Sequence, residues 1–242
     1  MRKNLFLAML VISAFCFSTQ AQKNDKDKYN EKDRIEGSGN VITKDIAVRS
    51  FDELSASGIF NLQLSQGDKE SVKIEAEDNL MDLFIVENEG STLKISMKKN
   101  SNFNSKKKIK VYVTFKNLKS LDLSMVGGTS SDEKLKFSEL KLTNSSVGSV
   151  DLNMTLQTLH LENESVGSVK LEGSADNAVV KNNSVGSINA GNFVVQKMEI
   201  DNNGVGSATV NAEKELKYSD SFLGKVNNKG NATVKRKNKV VI

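Results

Sequence analysis

The sequence predicts an all-β protein, a right-handed parallel β-helix-like solenoid with coils of about 19–21 residues. First, the tripeptide Val-Gly-Ser occurs at 147–149, 166–168, 185–187 and 205–207, in steps of 19, 19 and 20 residues. Second, short segments that alternate apolar and polar residues flank every copy, which is the pattern of strands with one buried face. Third, the chain has no proline, the residue that cannot donate to a hydrogen-bonded ladder.

The chain begins with a predicted signal peptide, residues 1–21. A basic start, Arg2-Lys3, precedes an apolar run over residues 5–17, and small or polar residues lead to a cleavage site after Ala21. The run of about 13 residues is shorter than the roughly 20 that span a bilayer. We therefore expect an exported protein, in the periplasm or at the cell surface, with no transmembrane segment after cleavage.

The only cysteine, Cys16, lies inside this signal. Phe15 stands where a lipoprotein signal has a small residue, which argues against lipidation. The mature chain then has no disulfide and depends on packing and hydrogen bonds. Without Arg2 and Lys3, the 34 basic residues fall to 32 against 30 acidic ones. This near balance predicts no nucleic-acid partner.

Residues 22–37 are dense in charge and poor in apolar side chains, which predicts a flexible leader. The rest of the chain, 38–242, is predicted to be a single solenoid domain. Within it, residues 38–120 form irregular first coils and residues 121–242 form the Val-Gly-Ser coils. A short helix near residues 78–84 is the one predicted exception to strand structure.

An asparagine stands three residues before each repeated valine. These are Asn144, Asn163, Asn182 and Asn202. Stacked in register, their amides can donate and accept along the solenoid axis as a ladder, whereas antiparallel hairpins bring no equivalent positions together. The pattern therefore favours parallel stacking.

The repeated glycines invite comparison with loops that bind phosphate. They are Gly148, Gly167, Gly186 and Gly206. No Lys-Ser/Thr pair and no helix follows them, so we interpret them as turn residues with a positive φ.

No catalytic or metal-binding constellation is predicted. His160 is the only histidine and alternates with apolar neighbours, so it is expected to face solvent. A β-helix that cleaves polysaccharides needs clustered acids, or a calcium site with a basic residue nearby. The mature chain has three arginines and no Asp-Asp pair. We therefore predict a protein that is not an enzyme and has no cofactor.

One candidate binding site is a basic loop around Phe103. Its five lysines are Lys98, Lys99, Lys106, Lys107 and Lys108. The loop is either a solvated hairpin tip or a dock for an acidic glycan or a lipid phosphate, with Phe103 stacking or inserting.

Residues 51–99 resemble the head GIN domain family, exported proteins described as heads of auto-transporter adhesins and abundant in Bacteroidetes. The resemblance depends on the start at Phe51-Asp52, the Ser57-Gly58-Ile59 step, Gln66-Gly67, the turn at Glu77-Asp78-Asn79-Leu80 and the segment from Gly90 to Ile95. Phe60 departs from the asparagine that the family name suggests. The similarity extends over residues 45–230 and implies an exported β-solenoid, but no ligand or catalytic residue.

The predicted function is that of an exported, adhesin-like binding module that recognises carbohydrate or an envelope or surface partner through a flat, repetitive β-face. A structural or signalling scaffold of the cell envelope is the alternative, followed by a β-helix enzyme that cleaves polysaccharide. The sequence leaves the oligomeric state open.

Overall fold

The structure, a computed structural model, describes residues 34–237. The predicted signal peptide with Cys16, and residues 22–33 of the predicted leader, lie outside the described residues. The first strands are β1 (Ile35–Glu36), β2 (Val41–Ile46), β3 (Glu53–Ile59), β4 (Asn61–Gln66), β5 (Ser71–Glu77), β6 (Phe84–Glu89), β7 (Thr92–Met97), β8 (Phe103–Asn104) and β9 (Lys110–Phe115). The later strands are β10 (Ser120–Val126), β11 (Thr129–Ser131), β12 (Leu135–Asn144), β13 (Val150–Asn163), β14 (Val169–Asn182), β15 (Ile188–Asn202), β16 (Ala208–Asp220), β17 (Val226–Asn228) and β18 (Thr233–Arg236). A 3-10 helix, Asp78–Leu83, lies where the sequence predicts a short helix.

The strands build a β-solenoid of about six turns with roughly 20 residues in each, which confirms the predicted fold class. From β12 to β16 every strand pairs in parallel with the next one along the chain. Each of β13 to β16 starts after a Val-Gly-Ser corner. Each also has a second corner midway, which we call the return corner; in β13 and β14 it lies at Gln157 and Asp176, the pair that the ladder skips. In β13 the pairing with β14 continues on both sides of this bend, from Leu156↔Ala175 to Thr158↔Asn177.

The register places equivalent residues of successive coils on top of one another, so that like side chains pack together inside. One such column stacks Leu140 on Leu159, Ala178 and Met198. Burial of these aliphatic columns gives the solenoid one continuous core along its axis.

The predicted asparagine ladder is confirmed. The side-chain amide of Asn144 donates to the Oδ1 of Asn163 at 2.8 Å, Asn163 donates to Asn182 at 2.7 Å, and Asn182 donates to Asn202 at 2.6 Å. All four residues are buried. Since an unpaired buried amide costs about 1–3 kcal/mol, the ladder strongly favours this register over any shifted one.

The repeated glycines form the Val-Gly-Ser corner with positive φ, as predicted. Gly167 has φ +142°, and a Cβ there would lie 2.1 Å from the carbonyl oxygen of Gly148. Glycine is therefore needed both for the backbone conformation and for the close approach of coils. The neighbouring valines bridge from coil to coil but stay about half exposed, as with Val166 at 53%.

The first coils depart from sequential stacking. The coil made of β3 and β4 stacks in parallel on β10 and β11 on one side, and on β7 and β9 on the other. β5 then pairs antiparallel with both β2 and β9, and β6 pairs antiparallel with β7. Of the predicted leader, the structure describes residues 34–37, and β1 within it pairs in parallel with β8.

Candidate functional site

The basic segment between β7 and β9 contains all five predicted lysines and is called here the lysine loop, residues 98–108. Its first turn is held by hydrogen bonds from the N–H of Lys98 to the carbonyl of Leu83, at 2.8 Å, and from the Ser101 hydroxyl to the Lys98 carbonyl, also at 2.8 Å. Its middle forms β8, whose pairing with β1 adds backbone hydrogen bonds on either side of Phe103. The loop is therefore a structured element.

A buried carboxylate anchors the second half of this loop. Glu77, at the end of β5, is 0% exposed. Its oxygens accept hydrogen bonds from the Ser105 hydroxyl at 2.7 Å, the Lys106 N–H at 2.9 Å and the Gly39 N–H at 2.7 Å. The Ser105 hydroxyl is the main cause that holds the pKa of Glu77 below its usual 4.5, and the backbone N–H groups contribute further, against the opposing effect of burial.

Residue 37 must be small for this anchor to form. A Cβ on Gly37 would lie 2.3 Å from Oε2 of Glu77, so the glycine leaves room for the carboxylate. Sequence reasoning missed Glu77 as a site residue, because an isolated acid at a strand end has no distinctive pattern.

The five lysine side chains of the loop form a cluster of cations without ion pairs. Across residues 34–237, none of the five ammonium groups lies within 4.0 Å of a carboxylate, whereas ten other basic side chains in that range form ion pairs. Lys170, for example, lies 3.2 Å from Asp151 and 3.1 Å from Glu172. The loop therefore carries positive charge that no carboxylate among residues 34–237 neutralises through an ion pair.

The structure brings some of the predicted site residues together and separates others. Phe103, Lys107 and Lys108 border one shallow cavity of about 300 Å³, together with Ile59 and Val126. Ile59 pairs with Val126, which in turn bridges to Val147 of the first Val-Gly-Ser corner. Phe103 is half-buried against the core, so its ring supports the loop more than it projects from it. The other three predicted lysines lie outside this cavity. They are Lys98, Lys99 and Lys106.

The only histidine lies at the surface of the solenoid. His160 is 44% exposed, as predicted, and its Nε2 lies 3.4 Å from Oε1 of Glu139. Within the described part of the chain, no group of three His, Cys, Asp or Glu side chains could hold a metal ion.

A larger cavity of about 850 Å³ lies at the return corner, near Phe137, and sequence reasoning did not find it. No helix among residues 34–237 has the length and hydropathy needed to cross a membrane.

Comparison with known proteins identifies a family and several solved structures that this chain resembles. The family described as "Putative auto-transporter adhesin, head GIN domain" matches residues 50–232. A crystal structure of a putative adhesin from Bacteroides fragilis is similar, with 30% identity and a TM-score of 0.73 over 84% of this chain and 99% of that one. No curated protein matches the chain.

Two further solved structures from Parabacteroides distasonis share the fold. One is a putative adhesin, 22% identical, with a TM-score of 0.64 over 85% of this chain and 96% of that one. The other is named a putative lipid binding protein, 21% identical, with a TM-score of 0.60 over 85% of this chain and 100% of that one. On the match over residues 50–232 and the likeness to the Bacteroides fragilis structure, the chain belongs to the family described as "Putative auto-transporter adhesin, head GIN domain".

Proposed function

We propose that this chain is a non-catalytic binding module, at the cell surface or in the periplasm, that attaches to an acidic glycan through the lysine loop. The observation that carries the proposal is the set of five lysines without a carboxylate partner among residues 34–237, on a loop whose backbone is held by Glu77. A preorganised cluster of unneutralised ammonium groups attracts polyanions, and loses less entropy on binding than a mobile tail.

The flat outer faces of the Val-Gly-Ser coils have a secondary role in the proposed binding. Their charges are compensated between neighbouring coils, as in the pair of Lys181 with Glu162 at 3.5 Å, so they offer little net attraction to a charged partner. We propose that these flat faces act as a rigid scaffold that presents the loop, and that they add hydrogen bonds once a glycan lies along them. This arrangement suits the multi-contact binding expected of an adhesin head.

Binding to heparin tests the proposal directly. Replacing the five loop lysines by glutamine should abolish retention of the full chain on heparin-agarose, because the removed charges provide the attraction. Wild-type retention should weaken with rising salt, since exposed charges are screened over about 10 Å at 0.1 M ionic strength.

A charge-matched control separates the loop from net charge. Five lysines that form ion pairs can be changed to glutamine instead, with the same loss of charge: Lys94, Lys116, Lys119, Lys170 and Lys181. We expect this control variant to elute close to the wild type. Equal retention of the loop variant and the wild type would refute the proposal. Binding to phosphatidylglycerol vesicles without heparin retention would replace the glycan by a lipid phosphate, a ligand class that the name of one Parabacteroides relative suggests.

A further inference from the structure

The largest cavity described above arises from an interruption in the stack at the return corner. β4 ends at Gln66, and the chain turns back into β5, which pairs antiparallel with β9. The coil of β3 and β4 therefore has no return bend of its own. The bends on either side of its level, residues 116–119 and 136–139, are separated by a cleft of about 850 Å³, a volume within the usual range of ligand pockets.

The cleft is rigidly built. The side-chain amide of Gln66 spans its two walls, donating to the carbonyl of Lys116 at 2.9 Å and to that of Lys136 at 3.0 Å, and accepting from the N–H of Lys136 at 2.8 Å. Beside this bridge, the ring of Phe137 stacks on the fully buried Phe115, with centroids 5.8 Å apart and planes 15° apart. Both contacts hold the walls apart at a fixed distance.

The lining combines one aromatic ring with a rim of polar groups. Phe137 is half-buried and borders the cleft, while Asn117, Lys136 and Ser138 are exposed at its edges. The side chain of Asp52 is 30% exposed and ion-paired with Lys119 at 2.7 Å. The charged groups of the lining have both signs, so the cleft has no strong preference for an anion.

This chemistry is complementary to a sugar ring. The C–H face of a hexose is apolar and packs on an aromatic side chain, while its hydroxyls need hydrogen-bond donors and acceptors around the edge. We propose that the cleft binds a neutral oligosaccharide, with one sugar ring against Phe137 and its hydroxyls hydrogen-bonded to Asn117, Lys136 and Ser138. The site shares no residue with the cavity at the lysine loop and goes beyond the proposed function.

The same groove continues along the return corner. A second cavity of about 480 Å³ shares Lys136 and Phe137 with the first, and extends past Gln157 and Asp176 to Gln196. Since stacked strands lie about 4.8 Å apart, these polar side chains of successive coils form a row parallel to the axis. Phe137 lies between the two cavities, so a chain of several sugars can run along the corner with its central ring on Phe137.

Titration with defined oligosaccharides tests this site. The probes are maltohexaose, cellohexaose, xylohexaose and chitohexaose, measured with the full chain by saturation-transfer-difference NMR and calorimetry. We expect at least one probe to bind with a dissociation constant of millimolar order or tighter, and Phe137→Leu to weaken that binding about tenfold or more. The matched control is Phe222→Leu, since Phe222 is 91% exposed and lies outside the cleft, and it should bind like the wild type.

A second variant, at the rim of the cleft, keeps the test decisive if Phe137→Leu does not fold. Asn117→Ala combined with Lys136→Ala changes only exposed side chains and should also reduce the affinity severalfold. The proposal is overturned if none of the four probes binds at about 5 mM, or if the rim variant binds as well as the wild type. The loop variant with five glutamines should keep its oligosaccharide affinity, and the cleft variants should keep heparin retention, so that failure of one site is distinguishable from failure of the other.

Discussion

Replacing a repeated glycine by alanine should destabilise the solenoid far more than a surface glycine substitution normally does. In Gly167→Ala, the new Cβ would lie 2.1 Å from the carbonyl oxygen of Gly148, where ordinary contacts begin near 3.4 Å. The backbone must therefore move by more than an ångström at the corner. The residue also has a φ of +142°, a backbone conformation that residues other than glycine rarely adopt.

The magnitude follows from these two effects. Strain at such a φ costs about 1–3 kcal/mol. Separating the coils also weakens the hydrogen bonds from the Gly167 N–H to the Val185 carbonyl and from the Gly148 N–H to the Val166 carbonyl, both 2.9 Å long. At about 1 kcal/mol for each hydrogen bond, the free energy of unfolding should fall by about 3–5 kcal/mol in total. That loss is a large part of the 5–15 kcal/mol typical of a folded domain.

Gly90→Ala is the matched control for this prediction. Gly90 also has a positive φ, +59°, but a Cβ there would meet nothing within 4 Å. Its substitution should cost about 1 kcal/mol, since it adds backbone strain without the contact between coils. Urea unfolding followed by circular dichroism measures both variants. If Gly167→Ala is no more destabilised than Gly90→Ala, the close approach of coils at the Val-Gly-Ser corner is wrong.

Three further predictions concern side chains. Asn163→Leu should lower the free energy of unfolding by about 2–4 kcal/mol in urea, because it leaves ladder amides unpaired, whereas the exposed Asn183→Leu should change it by less than about 0.5 kcal/mol. Lys237→Ala removes the ion pairs with Glu199 and Asp201 and should lower the stability of the adjacent β18 by about 1 kcal/mol. Hydrogen exchange should then show faster exchange of the β18 backbone amides, and unchanged exchange would contradict the prediction. The pKa of Glu77 is held below 4.5 chiefly by the Ser105 hydroxyl, so the ionised carboxylate stabilises the fold above pH 4.5 and this stabilisation is lost as the pH falls through the lower folded pKa. The melting temperature should therefore fall less steeply between pH 6 and pH 3 in Glu77→Gln than in the wild type. Equal slopes for the two proteins would refute this prediction.

The repeat coils were predictable because their contacts are periodic. In a stack of equivalent coils, Asn163 must meet Asn144 and Asn182, so a regular spacing in the sequence is also a list of spatial neighbours. Alternation of apolar residues located the strands of the first coils as well. It could not distinguish parallel from antiparallel pairing there, because both place every second side chain in the core.

The sites were less predictable because their contacts are neither local nor periodic. The lysines were visible as a charge cluster, but the anchor that orders them, Glu77, comes from a strand 28 residues before Ser105. The cleft depends on Gln66, which reaches a backbone 70 residues away at Lys136. A glutamine at the end of a strand gives no signal of such a bridge. The short strand β1 was also missed, since its residues lie in a charged segment and pair with a partner as short as themselves.

Parallel, in-register stacking of the coils is tested most directly by NMR of the four ladder asparagines in the full chain. The structure predicts nuclear Overhauser contacts between the side-chain amides in the order Asn144, Asn163, Asn182 and Asn202, with amide protons that exchange slowly because they are buried and hydrogen-bonded. Rapid exchange of these amides, without contacts between neighbouring coils, would contradict the stacked solenoid on which both proposed binding sites depend.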